Sequence, residues 1–196
     1  MHRHHHNVTD ATATPASAVT IRAVHECSSL TQLVCAASAD PELVHNTYLP
    51  ADLTAQRAHA WITQQPRTTW VICVDGEPVG LAKLTPAPRS PILVDPGGSW
   101  ESETWLIAQH RGRGVASRAW RSIQDVIAAE HPDITTLVAV VWQANHASHR
   151  RLRKDGYRAV GRMRWGGRGQ GHGGWCVVWA RAVVPHLSDG HRDAAA

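Results

Sequence analysis

The chain of 196 residues contains no phenylalanine although it carries nine tryptophans, an imbalance with no functional reading of its own. Other absences exclude more. No apolar run approaches the ~18 residues of a membrane-crossing helix, so no helical span is expected. The first residues lack an apolar signal core, so nothing argues for export and a cytoplasmic protein is expected. No C-x-x-C pair occurs. Cys27, Cys35, Cys73 and Cys176 are widely spread, as reduced thiols are, rather than grouped as a disulfide frame or a zinc site. No metal is expected either: His2, His4, His5 and His6 read as a flexible polar tract. Charge excess is also small. A net +4 with 14 histidines permits nucleic-acid contact without demanding it, and equally suits a polyanionic small ligand.

What is present fits one globular domain, since 43% of the residues are hydrophobic. Residues 1–18 are polar and without period and read as a disordered leader, residues 19–184 as the domain, and residues 185–196 as a flexible tail. Val19 to Val24 is a strand candidate. Helical patches follow at Ser28 to Ala39 and Asp52 to Thr63, the second with Asp52 as its expected N-cap. Thr69 to Val74 and Val79 to Thr85 flank Asp75-Gly76-Glu77-Pro78 as a hairpin. The proline-rich Pro86 to Gly98 is a loop. Thr135 to Trp142 is almost continuously apolar and β-branched, as a strand buried on both faces would be. A short basic helix from Asn145 to Lys154 ends at Gly156, and Tyr157 to Arg164 and Gly174 to Val183 are strands joined by a glycine-rich link. The order is that of an α/β fold in which helices cover a mixed sheet.

The most informative stretch runs from Glu101 to Gln124. Glu101 to Ala108 alternates as a strand, with Glu101, Glu103, Trp105 and Ile107 on one face. Gln109 to Gly114 is a tight basic loop, and from Val115 the apolar residues recur at helical spacing until His131-Pro132, where proline ends the helix. A strand, a glycine loop and a helix in succession make an anion cradle, because loop amides and the positive helix end converge on one point. Gly112 and Gly114 suit close approach of a phosphate or the backbone angles of the turn, and Arg111 and Arg113 are charge-assisted donors to it or solvated surface charge.

Arg111-Gly112-Arg113-Gly114-Val115-Ala116 is similar to the R/Q-x-x-G-x-G/A acyl-CoA loop of the GNAT superfamily of N-acetyltransferases. Asn145-x-x-Ser148 followed by Lys154-Asp155-Gly156-Tyr157 resembles that family's N-x-x-S…K-x-G-F segment, and Thr104-Trp105-Leu106 resembles the branch of ribosomal-protein N-terminal acetyltransferases and related self-resistance enzymes. The resemblance covers Val19 to Val183. It implies a GNAT fold of about six to seven mixed strands with about four helices. It also implies acetyl-CoA as co-substrate, an amine as acceptor and direct attack in a ternary complex; a non-catalytic acyl-CoA-binding module is the alternative. A homodimer stays open. The sequence departs from the family's pattern at Ala108, where a proline is usual, and at Glu103, where a small residue is frequent.

The chemistry asks for three things. An alkylammonium of pKa ~10.4 is overwhelmingly protonated at neutral pH, so a positioned base contributes ~10²–10⁴-fold. Glu101 and Glu103 are the candidates: Glu101 aligns better with the branch, whereas Glu103 lies nearer the expected acyl site. The thioester carbonyl and pantetheine need donors, expected from the backbone of Leu106, Ile107 and Ala108 and from Asn145, with Val115 and Ala116 completing the pyrophosphate site. The leaving thiolate needs a proton. Many family members carry a tyrosine where this chain has Leu152, so the resemblance points to Ser148 as the acid; Tyr157 reads as a core aromatic. A thiol route through Cys176 is disfavoured because strand cysteines are mostly buried and inert. Arg150, Arg151, Arg153, Lys154, Arg158, Arg162 and Arg164 form a basic cluster that RNA would find attractive, yet the family's cofactor gives that charge a simpler use, so nucleic acid is not the expected partner. The acceptor has no diagnostic motif; Asp40, Glu42 and Asp52 are the acids available to meet a cationic amine.

Overall fold

The computed structural model describes residues 17–27, 30–87, 98–165 and 174–183. The His-rich tract, most of the Pro86 to Gly98 loop, the link after Trp165 and the carboxy-terminal tail lie outside the described residues. Among the described residues seven strands form one mixed sheet: β1 (Val19–Ala23), β2 (Thr69–Val74), β3 (Glu77–Pro86), β4 (Ser99–Leu106), β5 (Thr136–Trp142), β6 (Arg158–Trp165) and β7 (Gly174–Ala182), in the order β1-β2-β3-β4-β5-β7-β6. Five α-helices cover it: α1 (Leu30–Ser38), α2 (Pro41–Asn46), α3 (Ala55–Thr63), α4 (Val115–Glu130) and α5 (His146–Lys154). All neighbouring strands are antiparallel except β4 and β5.

The sheet separates two cores. On one face Ile123 and Ile127 of α4 and Leu152 of α5 pack with Ile72, Leu84, Leu106 and Leu137; on the other, Leu30 and Val34 of α1 and Ala58 and Ile62 of α3 pack with Val71, Leu81 and Trp105. Ile123 and Ile127 are fully buried, each contributing about 1.5–3 kcal/mol by removal from water. Trp105 and Leu106 fall in different cores, as the alternation along β4 requires.

Three expectations are corrected. A helix was not expected at α2, whose six residues are too few for a period to declare itself; it is made by Asp40, whose Oδ1 accepts from the amides of Glu42 (2.9 Å) and Leu43 (3.2 Å), and by Pro41 at the first turn. Asp52 is not the cap of α3. It sits in the left-handed region at φ 50°, and Thr54 caps instead, its Oγ1 accepting from the Arg57 amide at 3.4 Å. Finally, β5 is not buried throughout: Leu137, Val138 and Ala139 are, whereas Val140 to Trp142 are partly exposed. The cause is topological. β4 and β5 pair at only three positions, Ser99 with Thr136, Trp100 with Leu137 and Glu101 with Val138, and beyond them the two parallel strands part.

Candidate active site

The parted strands define the site. Ile107 donates its amide to the Val79 carbonyl at 2.9 Å, so its N–H belongs to the β3 side and is not offered to a ligand. Alternation then turns the amide and carbonyl of Leu106 to the opposite edge, facing the split. Ala108 leaves the strand and begins a single 3₁₀ turn to His110. Of the three backbone donors expected here, Ile107 is the one turned away from the open edge. At the apex of the split, Ser102 donates its hydroxyl to the Val138 carbonyl at 2.9 Å, and the Tyr157 hydroxyl lies 3.4 Å from Ser102 Oγ. Burial pushes the Tyr157 phenol above its usual value, so it stays protonated in the core, and Leu152 beside it is fully buried.

Directly after β4 comes the glycine loop. Gly112 and Gly114 have φ of 71° and 74°, a region costly for residues with a Cβ, and a Cβ at either would meet no protein atom within 4 Å. The glycines are therefore required by backbone angle and leave open space over the loop. Gly114 is the N-cap of the 16-residue α4, with no side-chain cap and no acid in the first turn. The first amides of a long helix thus have no side-chain cap and follow directly on the glycine loop, the arrangement that binds phosphate. The residues fit a pyrophosphate-bearing ligand: Gly112 to Ala116 would hold it through their backbone. Arg113 is exposed beside them. A nearby acid, Asp155, which accepts from Ser117 Oγ (3.1 Å), is offset by Arg151 at 3.1 Å.

Arg111 behaves differently from the expectation. Its Nη2 lies 2.5 Å from Asp40 Oδ2 and its Nη1 2.7 Å from Glu42 Oε2, while Nε donates to the Leu106 carbonyl at 2.9 Å. Asp40 and Glu42, the acids expected to meet a cationic amine, meet this guanidinium instead. Burial works to raise the Asp40 carboxyl, but the Arg111 hydrogen bond and the amides of Leu43 and Glu42 outweigh it and hold it below the usual value.

On the β4 face opposite α4, the two glutamates have distinct surroundings. Glu101 is buried, 8% exposed, and accepts from the Tyr48 hydroxyl at 3.0 Å. Glu103 accepts from the Tyr48 amide through Oε1 at 2.9 Å, and its Oε2 faces the Lys83 ammonium at 3.0 Å without forming an aligned hydrogen bond. The Lys83 ammonium also lies 5.6 Å from the centre of the Tyr48 ring. Tyr48 was not identified from the sequence, and no local signal could have found it: it is joined to the glutamates only by topology.

Across the split, Asn145 caps α5 by accepting from the Ser148 amide at 3.0 Å, and its Nδ2 donates to Asn46 Oδ1 at 3.0 Å. Ser148 is half-buried in the first turn. His149, one residue on, is also unforeseen. Trp179 Nε1 donates to its Nδ1 at 3.1 Å, so its Nε2 carries the proton toward the carbonyls of Trp142 and Gln143. Part of the basic cluster already has partners within the chain: Arg151 pairs with Asp155, and Arg153 lies 5.4 Å from the centre of the Trp179 ring. Cys176 is 2% exposed, and burial pushes its thiol up to about 11. Among the described residues no group of three or more His, Cys, Asp or Glu is placed to hold a metal ion, and no helix is long and apolar enough to cross a membrane.

Comparison with known proteins places this geometry. The sequence model of the acetyltransferase (GNAT) domain matches residues 19–158. No curated protein matches the chain in sequence. Three solved structures illustrate the likeness of fold. An N-acetyltransferase from Staphylococcus aureus Mu50 is 19% identical with a TM-score of 0.64, covering 86% of this chain and all (100%) of that one. RimL, a ribosomal L7/L12 alpha-N-protein acetyltransferase, is 16% identical with a TM-score of 0.68, covering 84% and 90% respectively. An aminoglycoside acetyltransferase in complex with coenzyme A is 17% identical with a TM-score of 0.62, covering 84% and 95%. With a family match running from β1 through α5, the chain belongs to the GNAT acetyltransferases and is an acyltransferase enzyme.

Proposed function

We propose that the protein transfers an acetyl group from acetyl-CoA to a primary amine by direct attack within a ternary complex. The observation that carries this reading is the uncapped amino terminus of α4, opening from the left-handed Gly114 beside the parted edges of β4 and β5. Backbone amides from Gly112 to Ala116 hold the pyrophosphate, and Leu106 and Asn145 meet the pantetheine and thioester from either side of the split. When bound, acetyl-CoA supplies the activated acyl group. Glu101 takes the proton of the attacking amine, directly or through a water, because Glu103 is held between the Lys83 ammonium and the Tyr48 amide and would have to give up that pair. The Ser148 hydroxyl returns a proton to the leaving thiolate. The protonated, buried Cys176 argues against an acyl-thiol relay and for direct attack.

RimL and the aminoglycoside enzyme supply two acceptor classes to try first, peptides with a free amino terminus and aminoglycosides. The test is calorimetric titration with acetyl-CoA followed by a screen of such amines for CoA release. Saturable binding and amine-dependent release are the expected results; absence of acetyl-CoA binding sinks the reading.

A further inference from the structure

The helix that the sequence did not announce, α2, is tied down at both ends by residues on opposite sides of the split. At its start Asp40 and Glu42 hold Arg111, which follows β4. At its end the His45 carbonyl accepts from Trp142 Nε1 at 3.0 Å, the two rings stack 5.6 Å apart, and Asn46 accepts from Asn145; Trp142 ends β5 and Asn145 lies just beyond it. A six-residue helix is ~9 Å long, close to two strand spacings of ~4.8 Å, the gap that opens when two strands part by one strand's width. Between these ties Leu43 is its one buried residue. Immediately after it Tyr48 lays its amide on Glu103 and its hydroxyl on Glu101.

We propose that Arg111 is a positioning residue that pins α2 as a strap across the split, and not a phosphate ligand. Each of its three nitrogens already has a partner, so turning the guanidinium toward a phosphate would mean breaking two ion pairs and the bond to Leu106. The strap in turn fixes Tyr48 against the carboxylates, so that Arg111 acts on the acceptor half of the site from within the cofactor motif. The functional meaning rests on the acetyl-transfer reading, but the brace itself does not.

The test uses the full chain in two measurements, amide hydrogen exchange without ligand and titration with acetyl-CoA. Arg111→Met should speed exchange across residues 42–48 by about tenfold, since two charge-assisted contacts are lost, while leaving sheet amides unchanged. Acetyl-CoA affinity should change by less than about threefold, because a backbone cradle does not use the side chain. Asp40→Asn keeps the cap of α2 but removes the charge, and should reproduce the effect without disturbing the loop. Arg111→Lys, which keeps the charge but not the fork, should restore part of the protection. Unchanged exchange in 42–48, or a fall in acetyl-CoA affinity of about tenfold or more with α2 still protected, overturns the proposal. If the unaltered protein binds no acetyl-CoA, the acetyl-transfer reading fails while the exchange result still decides the brace.

Discussion

The two halves of the proposed site, one for the cofactor and one for the acceptor, are built from different materials. The cofactor half is backbone: Gly112 and Gly114 at positive φ, the first amides of α4 and the free edge of β4, all within one short run of sequence. The acceptor half is side chains gathered from afar, with Tyr48 meeting Glu103 and Glu101 across 55 and 53 positions of chain and Lys83 arriving from β3. A backbone site tolerates exchange of its side chains but not of its dihedrals. A side-chain site is the reverse: a single atom replaced removes a function while the fold stands.

The largest expected effect therefore comes from a backbone position. Gly114→Glu puts a Cβ on a residue at φ 74° and a carboxylate in the anion cradle, and should weaken acetyl-CoA binding by at least ~100-fold in calorimetry. Arg113→Ala, in the same loop, should change it by less than about tenfold. Equal losses in the two variants would break the distinction between backbone and side-chain holding.

Next in size is the comparison of the glutamates. Glu101→Gln should lower kcat/KM by ~10²–10⁴-fold with acetyl-CoA binding retained, the range expected for loss of a positioned base. Glu103→Gln should cost less than about tenfold, acting through the Lys83 and Tyr48 contacts rather than through proton transfer. The opposite ranking in steady-state rates would move the base to Glu103.

How much of this could be read from the chain follows the same division. The strands, the loop and α4 announce themselves because their signals are local: alternation in β4, glycines at fixed offsets, apolar residues at helical spacing. Asn145 as cap of α5 and Gly156 at its left-handed end were legible for that reason. Asp52 misled because acid before helix is a local cue that Thr54, nearer the first turn, overrode. Arg111 is more instructive. A basic residue in a glycine loop reads as a phosphate partner from local sequence alone, whereas the fold brings Asp40 and Glu42 to it across 71 and 69 positions. Tyr48 and the strap α2 left no trace at all, since their role exists only once β4 and β5 have parted.

Tyr48→Phe should have a smaller effect, about tenfold or less in kcat, since it removes one hydrogen bond to Glu101 and keeps the amide bond to Glu103. Its diagnostic readout is a fall in kcat with acetyl-CoA affinity unchanged, because the hydroxyl bonds Glu101 and not the glycine loop; a kcat identical to the unaltered protein would separate Tyr48 from the base.

The smallest effect is on the strap. The Asp40 carboxyl is held below its ordinary value of 3.8, so the folded state binds its proton more weakly than the unfolded chain does. The sign follows directly: this stabilisation is complete above that ordinary value and is lost as pH falls through the lower, folded one. Protection of the α2 amides, corrected for intrinsic exchange, should thus stay level from neutral pH down to about 4 and decline only below it. The decline belongs to Asp40, whose carboxylate is paired with the Arg111 guanidinium. Asp40→Asn, which caps the helix without titrating, should start from lower protection and lose less on acidification. A decline already under way near pH 6, or one that Asp40→Asn leaves unaltered, would show that the Asp40–Arg111 pair is not what holds the strap, and would make the His45–Trp142 end the stronger of its two anchors.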